Sequence, residues 1–134
     1  MQHTPPALGD ANAEMLEKNL RALARSSPRV AEAVARTRSA DAGVVLDVAP
    51  DGGLTGVRGS GPGAVRLGSA RAPIDEGERL AATVDPATTG CAVVLGFGLG
   101  HHVRALQQRL GRAGVVLVYE PDAALLRAVL ERQD

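Results

Sequence analysis

One stretch limits the possible folds more than any other: CAVVLGFGLGHHVRALQQRLGRAGVVLVYEPD, Cys91 to Asp122. Cys91 to Leu95 is an apolar run without polar alternation, the pattern of a strand buried on both faces. Gly96, Gly98 and Gly100 follow directly. Glycines at this spacing allow a tight bend and remove the side chains that would keep a ligand from the backbone. His101 then opens a helix predicted over 101–111. The first amide N–H groups of such a helix have no partner inside it, so they favour negative charge at the bend. Val115 to Tyr119 predicts a second buried strand, with Glu120 at its carboxyl end. A strand, helix and strand linked in this way form a parallel, right-handed unit.

That order suits a nucleotide, with phosphate or another polar group over the glycines and ribose hydroxyls on Glu120. The match to a dinucleotide fingerprint is partial. The third glycine comes one place early, where the fingerprint would use the position of His101, so the run is G-x-G-x-G. Methyltransferases that use S-adenosylmethionine often carry this run with an acid two residues before the first glycine. Val94 stands there. A strand–glycine–helix turn also serves plain architecture, where glycine is needed only for close packing, and that reading stays open beside the functional one. Asp122 is placed to cap the helix that follows.

A chain of 134 residues suffices for one modest domain, or for a small domain and part of another. Formal net charge is zero, so no overall field argues for nucleic acid or an anionic membrane as partner. One Phe, one Tyr and no Trp leave no stacking platform for single-stranded nucleic acid. No apolar run approaches the ~20 residues of a membrane span, and Met1 to Asp10 lacks the pattern of a signal peptide, so the expected location is cytoplasmic. Cys91 is the single cysteine, which excludes an internal disulfide; at the start of an apolar strand it reads as a buried small hydrophobe.

The expected class is α/β, in three sections. Section 1–42 is helical. Leu16, Leu20 and Leu23, widened by Met15 and Ala24, form one apolar stripe over 12–25. Ser27-Pro28 starts a second helix to about Arg38, with Val30, Val34 and Ala35 inward. Section 43–89 is a small β-rich region. Val44 to Val48 and Leu54 to Arg58 flank the turn residues Pro50 to Gly53, and Ala64 to Leu67 is a third strand candidate. Asp75 and Glu78, at capping-box spacing, predict a helix to about Val84 that Asp85-Pro86 stops. Section 90–134 is β–α–β–α, with Val103, Leu106 and Leu110, then Leu125, Leu126, Val129 and Leu130, facing a sheet. This is the start of a Rossmann-like parallel sheet of two β–α units. A doubly wound sheet needs about five or six strands, so the chain reads as the truncated front part of a longer protein.

GFGLGHHV at Gly96 to Val103, LVYEPD at Leu117 to Asp122 and LLRAVLE at Leu125 to Glu131 resemble the motility-associated factor (Maf) flagellin glycosyltransferases. The core domain of that family is related to archaeal 6-hydroxymethylpterin diphosphokinase (MptE-like) domains. KNLRAL at Lys18 to Leu23 and RAPIDEGERLAATVD at Arg71 to Asp85 extend the likeness over nearly the whole chain. Its specific part is the pairing of GFGLG-x-H with E-P-D. The resemblance implies a Rossmann-like glycosyltransferase that moves a nonulosonic acid from its CMP form onto Ser or Thr of flagellin. The partners it implies are thus a nucleotide-sugar and flagellin. It also implies that Gly96, Phe97, Gly98, Gly100, His102 and Glu120 line the nucleotide pocket, while catalytic side chains are not assigned.

Transfer of this kind needs a base for the incoming hydroxyl and stabilisation of the departing phosphate. Backbone N–H groups from Phe97 to His102 are the candidates for the phosphate. His102 is the one side chain here with acid–base potential near neutrality, and a helix-start histidine making a local hydrogen bond is an equal reading. Adjacent histidines on a helix diverge by roughly 100°, so His101 and His102 make no shared metal site, and no metal-ligand spacing occurs elsewhere. Three other classes remain: a methyltransferase-like domain using S-adenosylmethionine, a pterin diphosphokinase needing ATP and Mg²⁺, and a non-enzymatic docking module.

Overall fold

The computed structural model describes residues 8–133. In chain order its elements are α1 (Leu8–Ser26), α2 (Pro28–Arg36), β1 (Val44–Val48), β2 (Leu54–Arg58), β3 (Val65–Arg66), α3 (Pro73–Ala81), β4 (Cys91–Leu95), α4 (His101–Leu110), β5 (Val115–Tyr119) and α5 (Ala123–Leu130). Single 3-10 turns lie at Ser39–Ala42, Gly61–Gly63 and Gly111–Ala113. The architecture is mixed α/β. Contacts gather the chain into two units: residues up to Ala42 together with those from Ala123 onward, and Gly43–Asp122.

The first unit is helical. Pro28 starts α2, since its fixed φ suits the first helical position and its missing N–H costs nothing there. The Thr37 hydroxyl closes the helix by donating to the Val34 carbonyl at 2.8 Å. Leu16, Ala31, Val34, Ala42, Leu125, Leu126, Ala128 and Val129 are buried. Val30 and Ala35, expected inward, are exposed. Ala31 and Val34, three residues apart, share the face turned to the core instead.

Helix α5 was expected to cover a sheet, yet it packs with α1, α2 and the turn Ser39–Ala42. The apolar face of α5, Leu125, Leu126 and Val129, is buried there, and two side chains tie the helix ends. Asn19 Nδ2 donates to the carbonyls of Leu130 and Gln133, both at 2.8 Å. Arg127 NH1 donates to the carbonyls of Ala35 at 3.0 Å and Thr37 at 2.8 Å. The last carbonyls of a helix lack partners within it, and here each helix end is satisfied by a side chain from a distant part of the chain.

The second unit begins with the expected hairpin. β1 and β2 pair antiparallel from Val44↔Arg58 to Val48↔Leu54, and β3 adds at Val57↔Arg66 and Arg58↔Val65. Asp51 Oδ1 accepts from Gly53 N at 2.9 Å within the turn, while its Oδ2 accepts from Ile74 N at 3.0 Å in the first turn of α3. The predicted Asp75–Glu78 capping box does not form. Proline at the first helical position starts α3 at Pro73, ahead of Asp75, which pairs with Arg79 one turn on.

β4 and β5 pair parallel, Cys91↔Val115 to Leu95↔Tyr119, and α4 connects them. Val103, Leu106 and Leu110 are buried as their spacing predicts. α3 and α4 meet at Gly77, where a Cβ would stand 2.7 Å from His101 C and His102 N. The expectation that both strands are buried on two faces is not met. Alternate residues Cys91, Val93 and Leu95, with their partners Val115, Leu117 and Tyr119, are exposed, Leu95 to 81%. Strand residues alternate between faces, so the face of Ala92, Val94 and Val116 is partly covered, with Val118 at its end exposed, while the other face stays open. Cys91 is therefore an exposed thiol and not the buried hydrophobe its apolar neighbours imply. Among the described residues no helix is long and apolar enough to cross a membrane.

Candidate functional site

The tips of β4 and β5 carry the site. Gly96 continues the parallel pairing, its N–H donating to the Tyr119 carbonyl at 2.8 Å, and adopts φ 95°. Gly98 and Gly100 follow at φ 54° and 81°. Only glycine takes these left-handed values without a Cβ penalty, which accounts for three of them along this bend. Gly100 N donates to the Phe97 carbonyl at 2.9 Å, and a Cβ on Gly100 would lie 2.6 Å from the Phe97 ring. The ring thus closes over the last glycine before α4.

Glu120 reaches back to this bend. Its Oε2 accepts from Phe97 N at 2.8 Å and from Gly98 N at 3.3 Å, and its Oε1 accepts from Asp122 N at 2.8 Å. An ionised carboxylate has about four lone-pair sites, so three main-chain donors hold it and leave capacity for another. Glu120 is half-buried. A hydroxyl group arriving from solvent therefore has an oriented acceptor.

The histidines diverge as expected. His101 Nε2 lies 2.7 Å from the Leu54 carbonyl and His102 Nε2 lies 3.1 Å from the Gly96 carbonyl. A carbonyl only accepts, so both rings carry the proton on Nε2 in these contacts. His102 thereby pins the first residue of the bend, the local hydrogen bond that was one of its two readings.

Gly96, Phe97, Gly98, Gly100, His102 and Glu120 all meet at this place. Their expected division of labour changes. The amides of Phe97 and Gly98, expected to hold phosphate, are engaged by Glu120, while those of Gly96 and Gly100 bond carbonyls. Further along, His102 N is roofed by α3 at Gly77. A carboxylate from the same chain has taken the anion position that the glycines and helix start create.

Two residues of the site were not read from the sequence as ligand contacts. Arg58, at the end of β2, donates from NH2 to Asp122 Oδ2 at 2.6 Å, and Asp122 in turn bonds Glu120 through its main chain. Arg58 Nε is buried without a hydrogen-bond partner. Sequence carries no signal for this pairing, which joins residues 64 positions apart through the hairpin. Beside the bend, a cleft of about 180 Å³ is lined by Leu67, Gly68, Leu80, Gly98, Leu99 and His102 among others. Among the described residues no group of three or more His, Cys, Asp or Glu is placed to hold a metal ion.

No protein-family model matches the chain, and no curated protein or solved structure matches it either.

Proposed function

We propose that the tips of β4 and β5 bind the ribose of a nucleotide. In this reading the chain is the nucleotide-binding part of a Rossmann-like glycosyltransferase of the Maf type, cytoplasmic, with a CMP-linked nonulosonic acid as donor and flagellin as acceptor. One observation carries it: Glu120, at the end of one parallel strand, holds its carboxylate against the glycine bend at the end of the other. That is the position from which an acid bonds ribose hydroxyls in dinucleotide-binding units.

The residues present act by binding and orientation. Glu120 accepts from the ribose hydroxyls through the lone pairs that its amide partners leave unused. Those amides fix the carboxylate beforehand, so little ordering cost falls on the binding step. Phe97 and His102 hold the bend in shape from either side of Gly98. His102 is already committed to the Gly96 carbonyl, so its role is to brace the loop.

Calorimetric titration of the chain with CMP, S-adenosylmethionine and ATP is the test. Saturable heat with CMP, lost in Glu120→Gln, supports the proposal. Heat with S-adenosylmethionine alone replaces it with the methyltransferase reading, and no heat with any of the three removes the nucleotide site.

A further inference from the structure

We propose that Arg58 binds the phosphate of the nucleotide, an inference that rests on the site proposed above and moves the anion contact away from the glycine amides. A phosphate over Phe97 and Gly98 would meet the Glu120 carboxylate, which already occupies both N–H groups. Like charges at that separation repel, so the phosphate needs a nearby cation and a place beside the bend. Arg58 provides the cation. It is joined to Glu120 through Asp122, by a 2.6 Å bond to the side chain of Asp122 and a 2.8 Å bond from its main chain.

The state of the guanidinium points the same way. Its five N–H donors form a planar fork suited to two oxygens of one phosphate. Here a single bond, to Asp122, is made from NH2, while Nε is buried without a partner. A buried donor left unsatisfied is costly and uncommon, so the guanidinium is under-used where it stands. The side chain as a whole remains 39% exposed, so solvent reaches part of it. Asp122 thus stands where one oxygen of an arriving phosphate would compete for the fork.

Titration of the full chain with cytidine and with CMP, at one low salt concentration, tests this. The wild-type chain should bind CMP more tightly than cytidine. Arg58→Gln should weaken CMP by about tenfold or more and leave cytidine within about twofold, as expected for loss of a charge-assisted bond to phosphate alone. Arg58→Lys should recover part of the loss. Asp122→Asn should strengthen CMP binding, because it removes the competing carboxylate. If Arg58→Gln weakens both ligands equally, Arg58 only positions Asp122 and Glu120 and the inference fails. It fails also if CMP affinity is unchanged, or if Asp122→Asn weakens CMP as much as Arg58→Gln does. Binding of neither ligand by the wild-type chain removes the nucleotide site itself, a separate outcome. A urea denaturation midpoint for each variant identifies unfolding, in which case Arg58→Lys carries the comparison.

Discussion

The Oε2 atom of Glu120 accepts a hydrogen bond from the Phe97 amide at 2.8 Å, joining the end of β5 to the bend that follows β4. Glycine bends before helices expose N–H groups and attract anions. In this chain the anion is internal. The carboxylate ties the bend to the end of β5 and occupies the amides of Phe97 and Gly98.

Removing that carboxylate should loosen the bend. Glu120→Ala leaves the amides of Phe97, Gly98 and Asp122 without their partner. Since the site is half-buried, water will replace part of the loss, and about 1–3 kcal/mol of stability should disappear. Glu120→Gln should behave similarly, because its new NH2 group faces donors. Amide hydrogen exchange at Phe97 and Gly98 should accelerate in both variants; unchanged protection would show that the carboxylate does not hold the loop.

The glycines of the bend should differ in their tolerance. Gly98 has φ 54° and nothing within 4 Å of an added Cβ, so Gly98→Ala should cost only the conformational penalty, roughly 1–2 kcal/mol. Gly100 has φ 81° and the Phe97 ring 2.6 Å from the added atom, so Gly100→Ala should cost more. Combining Gly100→Ala with Phe97→Ala should return part of that excess. Strict additivity of the two in a denaturation cycle would mean that ring and Cβ do not meet.

A third site lies where α3 meets α4. An alanine at Gly77 places its Cβ 2.7 Å from main-chain atoms of His101 and His102, which cannot rotate away. Gly77→Ala should destabilise the chain by about 1–3 kcal/mol through overpacking, despite the better helix propensity of alanine. A rise in the urea midpoint would contradict the close approach of the two helices.

In the helical unit, Asn19→Ala should remove the side-chain donor that bonds the Leu130 and Gln133 carbonyls and fray the end of α5. Arg127→Met should do the same at the end of α2, where the Ala35 and Thr37 carbonyls lose their donor. Each should cost about 1–2 kcal/mol, with faster amide exchange confined to the helices concerned. Exchange that rises uniformly across the chain would argue against this local role.

The open face of the β4–β5 pair permits a test of burial. Leu95→Gln with Leu117→Gln should shift stability by no more than about 0.5 kcal/mol, because both side chains are exposed. Binding of a hydrophobic dye should fall, since these residues and their exposed neighbours Val93 and Tyr119 lie on paired strands. A large loss of stability would mean that the face is covered in solution.

Local order was legible in the sequence because local rules create it. Proline after Ser27 started a helix, glycines after an apolar run made a bend, and strand-forming runs flanking the turn residues Pro50 to Gly53 made a hairpin, all as the residues predict. The convergence of the six predicted site residues followed from the same strand–bend–helix–strand order. What the linear pattern left open depended on partners distant along the chain. Apolar composition could not say that Val93 and Leu95 face solvent, because exposure depends on what is packed above a strand. Helix α5 lies with α1 and α2, where Leu125, Leu126 and Val129 are buried and Asn19 and Arg127 satisfy helix ends that sequence order places far apart. The occupied state of the glycine bend and the place of Arg58 beside Asp122 were likewise decided in three dimensions. Main-chain amides bond whichever acceptor the fold brings within reach, and here that acceptor is Glu120.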